Sequence, residues 1–242
     1  TVLFGGFAVH PAAAKSPVDY ANPLVGTASL DDPKLLGNAP PPGEEAYTGF
    51  TYPGPALPHR NILLGPVNKD LTEAAGNHGI IFPYLQSRPT MLGFSAPMSD
   101  LTIMPVVGDW TVPPDRDCYS SPYDKASETA SPGYYSVFFP DSGVRTELTT
   151  TEDTAYYRFT FPQTERGRIL MDLGAYPHHI EIVGNQVVRG RNHGGRGGQY
   201  FVAEFSRPFA GFGTFRQNQP QLDGPRVRRD DVIEPGSRTE TG

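Results

Sequence analysis

Between residues 134 and 161 the side chains alternate at a period of two, and this constrains the fold more than any other feature. Val144, Thr146 and Leu148 alternate with Arg145, Glu147 and Thr149. Ala155, Tyr157, Phe159 and Phe161 then alternate with Tyr156, Arg158 and Thr160. A helix, with a period of 3.6, cannot gather such a set on one face, whereas successive strand residues point to opposite faces of a sheet. The gap at Glu152-Asp153 is short enough for an antiparallel hairpin. Upstream, Tyr135, Val137 and Phe139 alternate with Tyr134, Ser136 and Phe138, so both faces of that strand carry bulk.

Similar runs flank this region. Residues 61–67, 79–82, 101–107, 168–173, 180–183, 186–189 and 199–205 read as strands. Gly184-Asn185 between two of them predicts a two-residue hairpin loop, glycine supplying the positive φ of a type II′ turn. The 242 residues include 27 Gly and 26 Pro, and these interrupt short apolar runs all along the chain. With 11% aromatic residues to fill a core, this composition implies many short strands rather than disorder. There is no convincing amphipathic helix; Glu73-Ala74-Ala75 is at most one turn. The expected fold is all-β, an antiparallel β-sandwich with few or no helices, over residues 15–216.

The two ends read differently. Residues 1–14, with an apolar run from Val2 closing in Pro11-Ala12-Ala13-Ala14 before Lys15, have the pattern of the rear of a secretory signal peptide. That makes the expected location secreted or periplasmic. Residues 217–242 are polar and read as a loop or linker. A net charge of -6 gives no electrostatic footprint for nucleic acid or an anionic membrane, and no apolar run approaches the ~20 residues of a membrane helix.

Self-contained catalytic motifs are missing. The six histidines lack ligand spacing, and the adjacent His178 and His179 would point opposite ways on a strand, so no metal site is expected from this chain. There is no G-x-S-x-G elbow, and Cys118 sits among Asp117 and Tyr119, a setting that does not favour a thiolate. Gly194-Gly195-Arg196-Gly197-Gly198 lacks the Lys-Ser/Thr of a phosphate loop. Asp100, Asp109, Glu128, Glu147, Asp153 and Asp172 are carboxylates of the type glycosidases use in pairs, but spacing does not pair them. Tyr47, Phe50, Tyr52, Trp110, Tyr119 and Tyr123 lie near proline-rich loops, as core residues or as platforms for sugar rings.

A series of short motifs points further. Tyr20-Ala21-Asn22-Pro23-Leu24-Val25-Gly26-Thr27, Tyr52-Pro53-Gly54-Pro55-Ala56-Leu57-Pro58, Gly93-Phe94-Ser95 and Met104-Pro105-Val106-Val107-Gly108 come first. Ala130-Ser131-Pro132-Gly133-Tyr134-Tyr135, Glu147-Leu148-Thr149, Arg158-Phe159-Thr160-Phe161-Pro162, Ile169-Leu170-Met171-Asp172-Leu173-Gly174 and the run from Tyr200 to Phe209 follow. In this order they resemble the N-terminal β-sandwich domain of glycoside hydrolase family 92, calcium-dependent exo-acting α-mannosidases. The resemblance implies a sandwich (supersandwich-like) that packs on a C-terminal (α/α)6 catalytic domain, with a glycan substrate bound between them. It further implies inversion at the sugar and a Ca2+ ion whose ligands, like the catalytic carboxylates, lie outside this chain. No catalytic residue is therefore assigned here, and residues 93–100 are expected to face the sugar, with Ser95, Ser99 and Asp100 as substrate-binding residues. Two departures mark a divergent branch: Ala96-Pro97-Met98-Ser99-Asp100 is shorter than the family's loop and lacks its histidine, and a proline-rich insertion spans 37–45. The other reading is a stand-alone, non-catalytic carbohydrate-binding or structural sandwich.

Overall fold

The computed structural model describes residues 15–25, 27, 53–57, 62–68, 90–95, 101–108, 119–172, 178–192, 199–216 and 219–221. Among these, helical backbone is limited to Tyr119 and two 3-10 turns, η1 (Pro17–Tyr20) and η2 (Lys125–Ser127). The rest is antiparallel sheet and connecting turns. One sheet contains β1 (Gly65–Asn68), β2 (Thr90–Ser95), β3 (Thr102–Val107), β4 (Ser121–Pro122) and β9 (Gly167–Asp172), in the order β1-β2-β3-β9 with β4 also paired to β2. A second is the meander β5 (Thr129–Ser131), β6 (Tyr134–Phe139), β7 (Val144–Thr150) and β8 (Ala155–Thr160). A third holds β10 (His178–Val183), β11 (Val187–Asn192) and β12 (Gln199–Glu204), and β13 (Thr214–Arg216) pairs with β14 (Gln219–Gln221).

The alternation at 134–160 does what its period dictates. Tyr135, Val137, Phe139, Val144 and Leu148 are buried, while Arg145, Thr149, Tyr156 and Arg158 are exposed. Their inner faces meet Met91, Phe94, Met104 and Leu170 of the first sheet in one core. The Phe94 ring lies 6.4 Å from that of Tyr135 and 6.1 Å from that of Phe139, both tilted, the arrangement the ring quadrupoles favour. Each such side chain, fully buried, contributes about 2–3 kcal/mol.

The first sheet is covered on both sides. In β9, Leu170 joins the sandwich core, while Ile169 and Met171 join Ile103 in a second cluster with Ile180 and Phe201 of the third sheet. That double coverage explains why 101–107 and 168–173 read as near-continuous apolar runs whereas β7 alternates cleanly.

The turns carry the conformations their residues permit. Gly133 (φ 81°) follows Pro132 between β5 and β6, the pairing a type II turn prefers. The β7–β8 connection is the expected short hairpin, closed by Thr151 N–H donating to the Thr154 carbonyl at 2.9 Å. The β10–β11 hairpin differs from expectation. Val183 pairs with Val187, so three residues, Gly184 to Gln186, form the loop rather than two. Gly184 has the positive φ, at 64°. Gln186 is drawn out of the ladder: its carbonyl accepts from Phe205 N–H at 2.8 Å and its side-chain amide donates to the Phe205 carbonyl at 3.1 Å. The expected strand at 61–67 is shorter and shifted, beginning at Gly65, and β14 lies inside the stretch read as polar loop. The expected strand at 79–82, residues 1–14 and 222–242 lie outside the described residues.

Candidate functional site

Two polar groupings sit where motifs from distant parts of the sequence meet. The first is a row across one end of the first sheet. Gly65 pairs with Ser95, Ser95 with Thr102, and Thr102 with Asp172, so three polar residues occupy one register line over three strands. Neighbours on such a line have Cβ atoms about 4.5–5.5 Å apart, so Ser95 and Asp172 are roughly 10 Å apart. The Asp172 carboxylate accepts the Tyr119 hydroxyl at 2.6 Å, and Tyr119 itself is a core residue. The strands are brought close by Gly93 (φ 147°), where a Cβ would stand 2.7 Å from Thr102 Cγ2 and 2.8 Å from the Ile103 carbonyl oxygen.

Ser95 is thus the last residue of β2 and the root of the loop expected to face a sugar, and it is 6% exposed. Ser99 and Asp100, the other expected substrate-binding residues, lie outside the described residues, as do Asp109, Tyr47, Phe50, Tyr52, Trp110 and Cys118. From the sequence, Asp172 is a candidate only by type, as a carboxylate. Its place on the register line of Ser95, with Thr102 between them, is a product of pairing between β3 and β9, about 70 residues apart, which no local signal encodes.

The second grouping is buried. Glu128 accepts the Tyr135 hydroxyl at 2.7 Å and the Tyr123 hydroxyl at 3.5 Å, and its carboxylate is paired with the Lys125 ammonium. Lys125 Nζ also donates to Thr27 Oγ1 at 3.1 Å, and the Thr27 hydroxyl donates to the Leu24 carbonyl at 2.7 Å. Burial pushes the Lys125 ammonium below the ordinary lysine range; the charge and hydrogen bond of Glu128 oppose that. Residues 22–25 form a turn beside this cluster, in which Leu24 N–H donates to Asn22 Oδ1 at 3.0 Å. With its oxygens taken by an ammonium and two phenols, Glu128 holds structure together. Tyr119 and Tyr123, at 4% and 0% exposure, are core residues.

Glu147 lies on the outer face of the meander, accepting from the Tyr134 hydroxyl at 2.8 Å, with Arg158 at 3.7 Å. Its strand position accounts for it. Among the described residues, no three His, Cys, Asp or Glu side chains gather to hold a metal ion.

The glycosyl hydrolase family 92 N-terminal domain matches residues 20–239. The chain belongs to this family. It is similar in structure to the family GH92 α-mannosidase BT3965 of Bacteroides thetaiotaomicron in complex with mannoimidazole, at 24% identity over 87% of this chain and 28% of that one, with a TM-score of 0.63. It is similar also to the family GH92 inverting mannosidase BT2199 of the same organism, at 25% identity over 86% of this chain and 28% of that one, with a TM-score of 0.64. No protein of curated function matches. The chain spans about 28% of the length of these mannosidases. It is thus the β domain of the family.

Proposed function

We propose that this domain forms one wall of the saccharide pocket of a larger, secreted or periplasmic, exo-acting and inverting α-mannosidase-type glycosidase. The observation that supports this reading is the register line Ser95–Thr102–Asp172. It brings Ser95, which closes Gly93-Phe94-Ser95, and Asp172, which follows Met171, to one end of one sheet. A pocket wall needs a few fixed hydroxyls and carboxylates on rigid elements. Strand ends locked to both neighbours meet that requirement better than a free loop.

Within this reading the chain's own work is binding and orientation. An inverting glycosidase requires two carboxyl groups about 6.5–9.5 Å apart, one protonating the leaving oxygen and one activating water. Glu128 is consumed by Lys125 and Asp172 is held by Tyr119, so neither is assigned to that pair. The acid, the base and the ligands of the expected Ca2+ belong to the remainder of the enzyme. Calcium there would bind sugar hydroxyls.

The test is kinetic. In the polypeptide translated from the whole reading frame, Ser95→Ala and Thr102→Val are expected to raise KM for an aryl α-mannoside with little change in kcat, the signature of lost uniform binding. Turnover of that substrate by the 242-residue chain alone would sink the proposal. So would unchanged KM in both variants.

A further inference from the structure

The solvent side of the meander β5–β8 carries aromatic rings that its packing does not use. The inner side is accounted for: Tyr135, Val137, Phe139, Val144 and Leu148 enter the sandwich core. On the outer side Tyr134 and Tyr156 both stand opposite Thr149, Glu147 stands opposite Arg158, and Phe138 opposite Arg145. The solvated face of an antiparallel sheet is ordinarily polar. Here Tyr156 is 54% exposed and Phe138 37%, and Tyr134 is half-buried. Tyr134 and Tyr156 lie roughly 10 Å apart across Thr149, at about 4.5–5.5 Å for each opposed pair.

Between the row of tyrosines and the row of Phe138 lies a fixed polar centre. The Tyr134 hydroxyl donates to Glu147 Oε1 at 2.8 Å, which orients the carboxylate. Arg158 Nη1 stands 3.7 Å from Glu147 Oε2, too far for a hydrogen bond, so this oxygen and the guanidinium keep bonding capacity for a ligand. An oriented carboxylate beside a forked donor matches the adjacent hydroxyls of a sugar. The flanking rings offer negative π faces to the C–H side of a pyranose. A protein interface has the opposite layout, with an apolar centre and the charges at its rim. One carboxylate between two arginines gives no strong field for an anionic polymer.

We infer that the outer face of β5–β8 binds a neutral glycan chain, as a secondary site apart from the pocket wall. Tyr156 and Phe138 stack on sugar rings, and Glu147 and Arg158 bond to hydroxyls between them. The inference takes from the proposed function only that the substrate is a glycan. The inner side of the same strands packs on the first sheet, which carries Ser95, Thr102 and Asp172. The sandwich core therefore separates this face from that row. A secondary site of this kind holds a polymeric substrate near the enzyme without taking part in bond cleavage.

The experiment is native electrophoresis of the 242-residue chain through gels that contain phosphate-free α-mannan. Mannan is expected to retard the chain, and Tyr156→Ala and Arg158→Gln are each expected to weaken the apparent affinity several-fold. Both side chains are exposed, so calorimetry should find both variants folded, with melting close to that of the parent. An absence of retardation overturns the inference, and so does retardation that survives both substitutions. If it survives both and falls in Ser95→Ala instead, the binding belongs to the pocket wall. Retardation seen only with phosphorylated mannan and abolished by salt overturns the inference in favour of an anionic ligand. Self-association without mannan that Tyr156→Ala abolishes, read by sedimentation, overturns it in favour of a second copy. Turnover of an aryl α-mannoside by the polypeptide translated from the whole reading frame is read in parallel. An active enzyme whose 242-residue chain ignores mannan loses this face and keeps the proposed function, whereas a retarded chain from an inactive polypeptide keeps the face and loses the proposed function.

Discussion

Lys125 and Glu128 are paired within the sandwich, and the same ammonium reaches back to the hydroxyl of Thr27, 98 residues earlier. The Glu128 side chain is fully buried, so its charge is tolerated only because an ammonium and two phenols surround it. Removing one partner of such a pair strands the other. Glu128→Gln keeps the shape and the phenol contacts but removes the carboxylate charge that faces Lys125. It is expected to cost roughly 3 kcal/mol, which lowers Tm by on the order of 10 °C in a domain of this size. Adding Lys125→Met should recover much of the loss. Differential scanning calorimetry of the single and double variants checks it, and additive losses would show that the pair is not coupled.

Thr27→Val isolates the other side of this cluster. It keeps the shape while deleting the bond to the Leu24 carbonyl and the bond from Lys125. A loss of about 1–2 kcal/mol is expected. Most of residues 15–25 are exposed, so the local effect should exceed the global one: amide exchange in 22–27 should quicken while that of β6 and β7 holds. Exchange quickening equally everywhere would mean that Thr27 supports the whole sandwich and does not specifically hold the N-terminal arm.

Tyr157 gives the domain an alkaline limit. Burial raises its phenol well above the ordinary 10.0. The folded state therefore keeps this proton at pH values where the unfolded chain releases it. The stabilisation is complete below about pH 10 and is lost above it at about 1.4 kcal/mol per pH unit until the folded phenol itself ionises. In urea unfolding between pH 8 and 11.5, Tyr157→Phe should lose stability less steeply than the parent above pH 10. Parallel curves would contradict the assignment.

Which parts of this were legible beforehand follows from how far apart the interacting residues lie. β7 and β8 were readable because a single exposed face imposes alternation, and Arg145, Glu147 and Thr149 report it directly, whereas β6, with bulk on both faces, was readable from its aromatic and β-branched content. β3 and β9 were readable as strands but not as the middle of three layers, since Ile103 and Met104 look alike in sequence yet enter different cores. The loop at Gly184 was one residue longer than its Gly-Asn signal suggested, because Phe205 captures Gln186 from outside the hairpin. The candidate site was legible only at Ser95, through its motif. Asp172 joins that row by strand pairing, and Thr27 joins Lys125 by a contact 98 residues long. Neither relation leaves a local trace.

Gly54 tests the packing of the Pro53-Gly54-Pro55 segment under β1. A Cβ there would lie 2.0 Å from the Leu64 carbonyl oxygen and 2.7 Å from Gly65 Cα, both backbone atoms that cannot swing aside. Gly54→Ala should thus destabilise by more than the 1–3 kcal/mol typical of overpacking, about 3 kcal/mol or above. Gly211→Ala, where the new methyl meets nothing within 4 Å, is the control and should be close to neutral. Similar urea midpoints for the two variants would show that the segment can move away from β1.

Tyr119 and Asp172 separate stability from ligand positioning at the end of the first sheet. The hydroxyl donates to the carboxylate at 2.6 Å, a charge-assisted bond worth about 1.5–3 kcal/mol. Tyr119→Phe removes the bond and leaves the carboxylate. Asp172→Asn keeps an acceptor but removes the charge. If Asp172 acts only as a structural anchor, Tyr119→Phe should cost more stability than Asp172→Asn, and neither should change KM in the longer polypeptide beyond the loss of folded protein. If the row Ser95–Thr102–Asp172 fronts the sugar, Tyr119→Phe should raise KM at temperatures where the variant is fully folded, because a carboxylate that has lost the Tyr119 bond presents a less fixed acceptor. Combining Tyr119→Phe with Ser95→Ala then gives a non-additive KM change, since both alter one wall. Strict additivity with unchanged KM for Tyr119→Phe would detach Asp172 from the pocket and leave Ser95 alone at its edge.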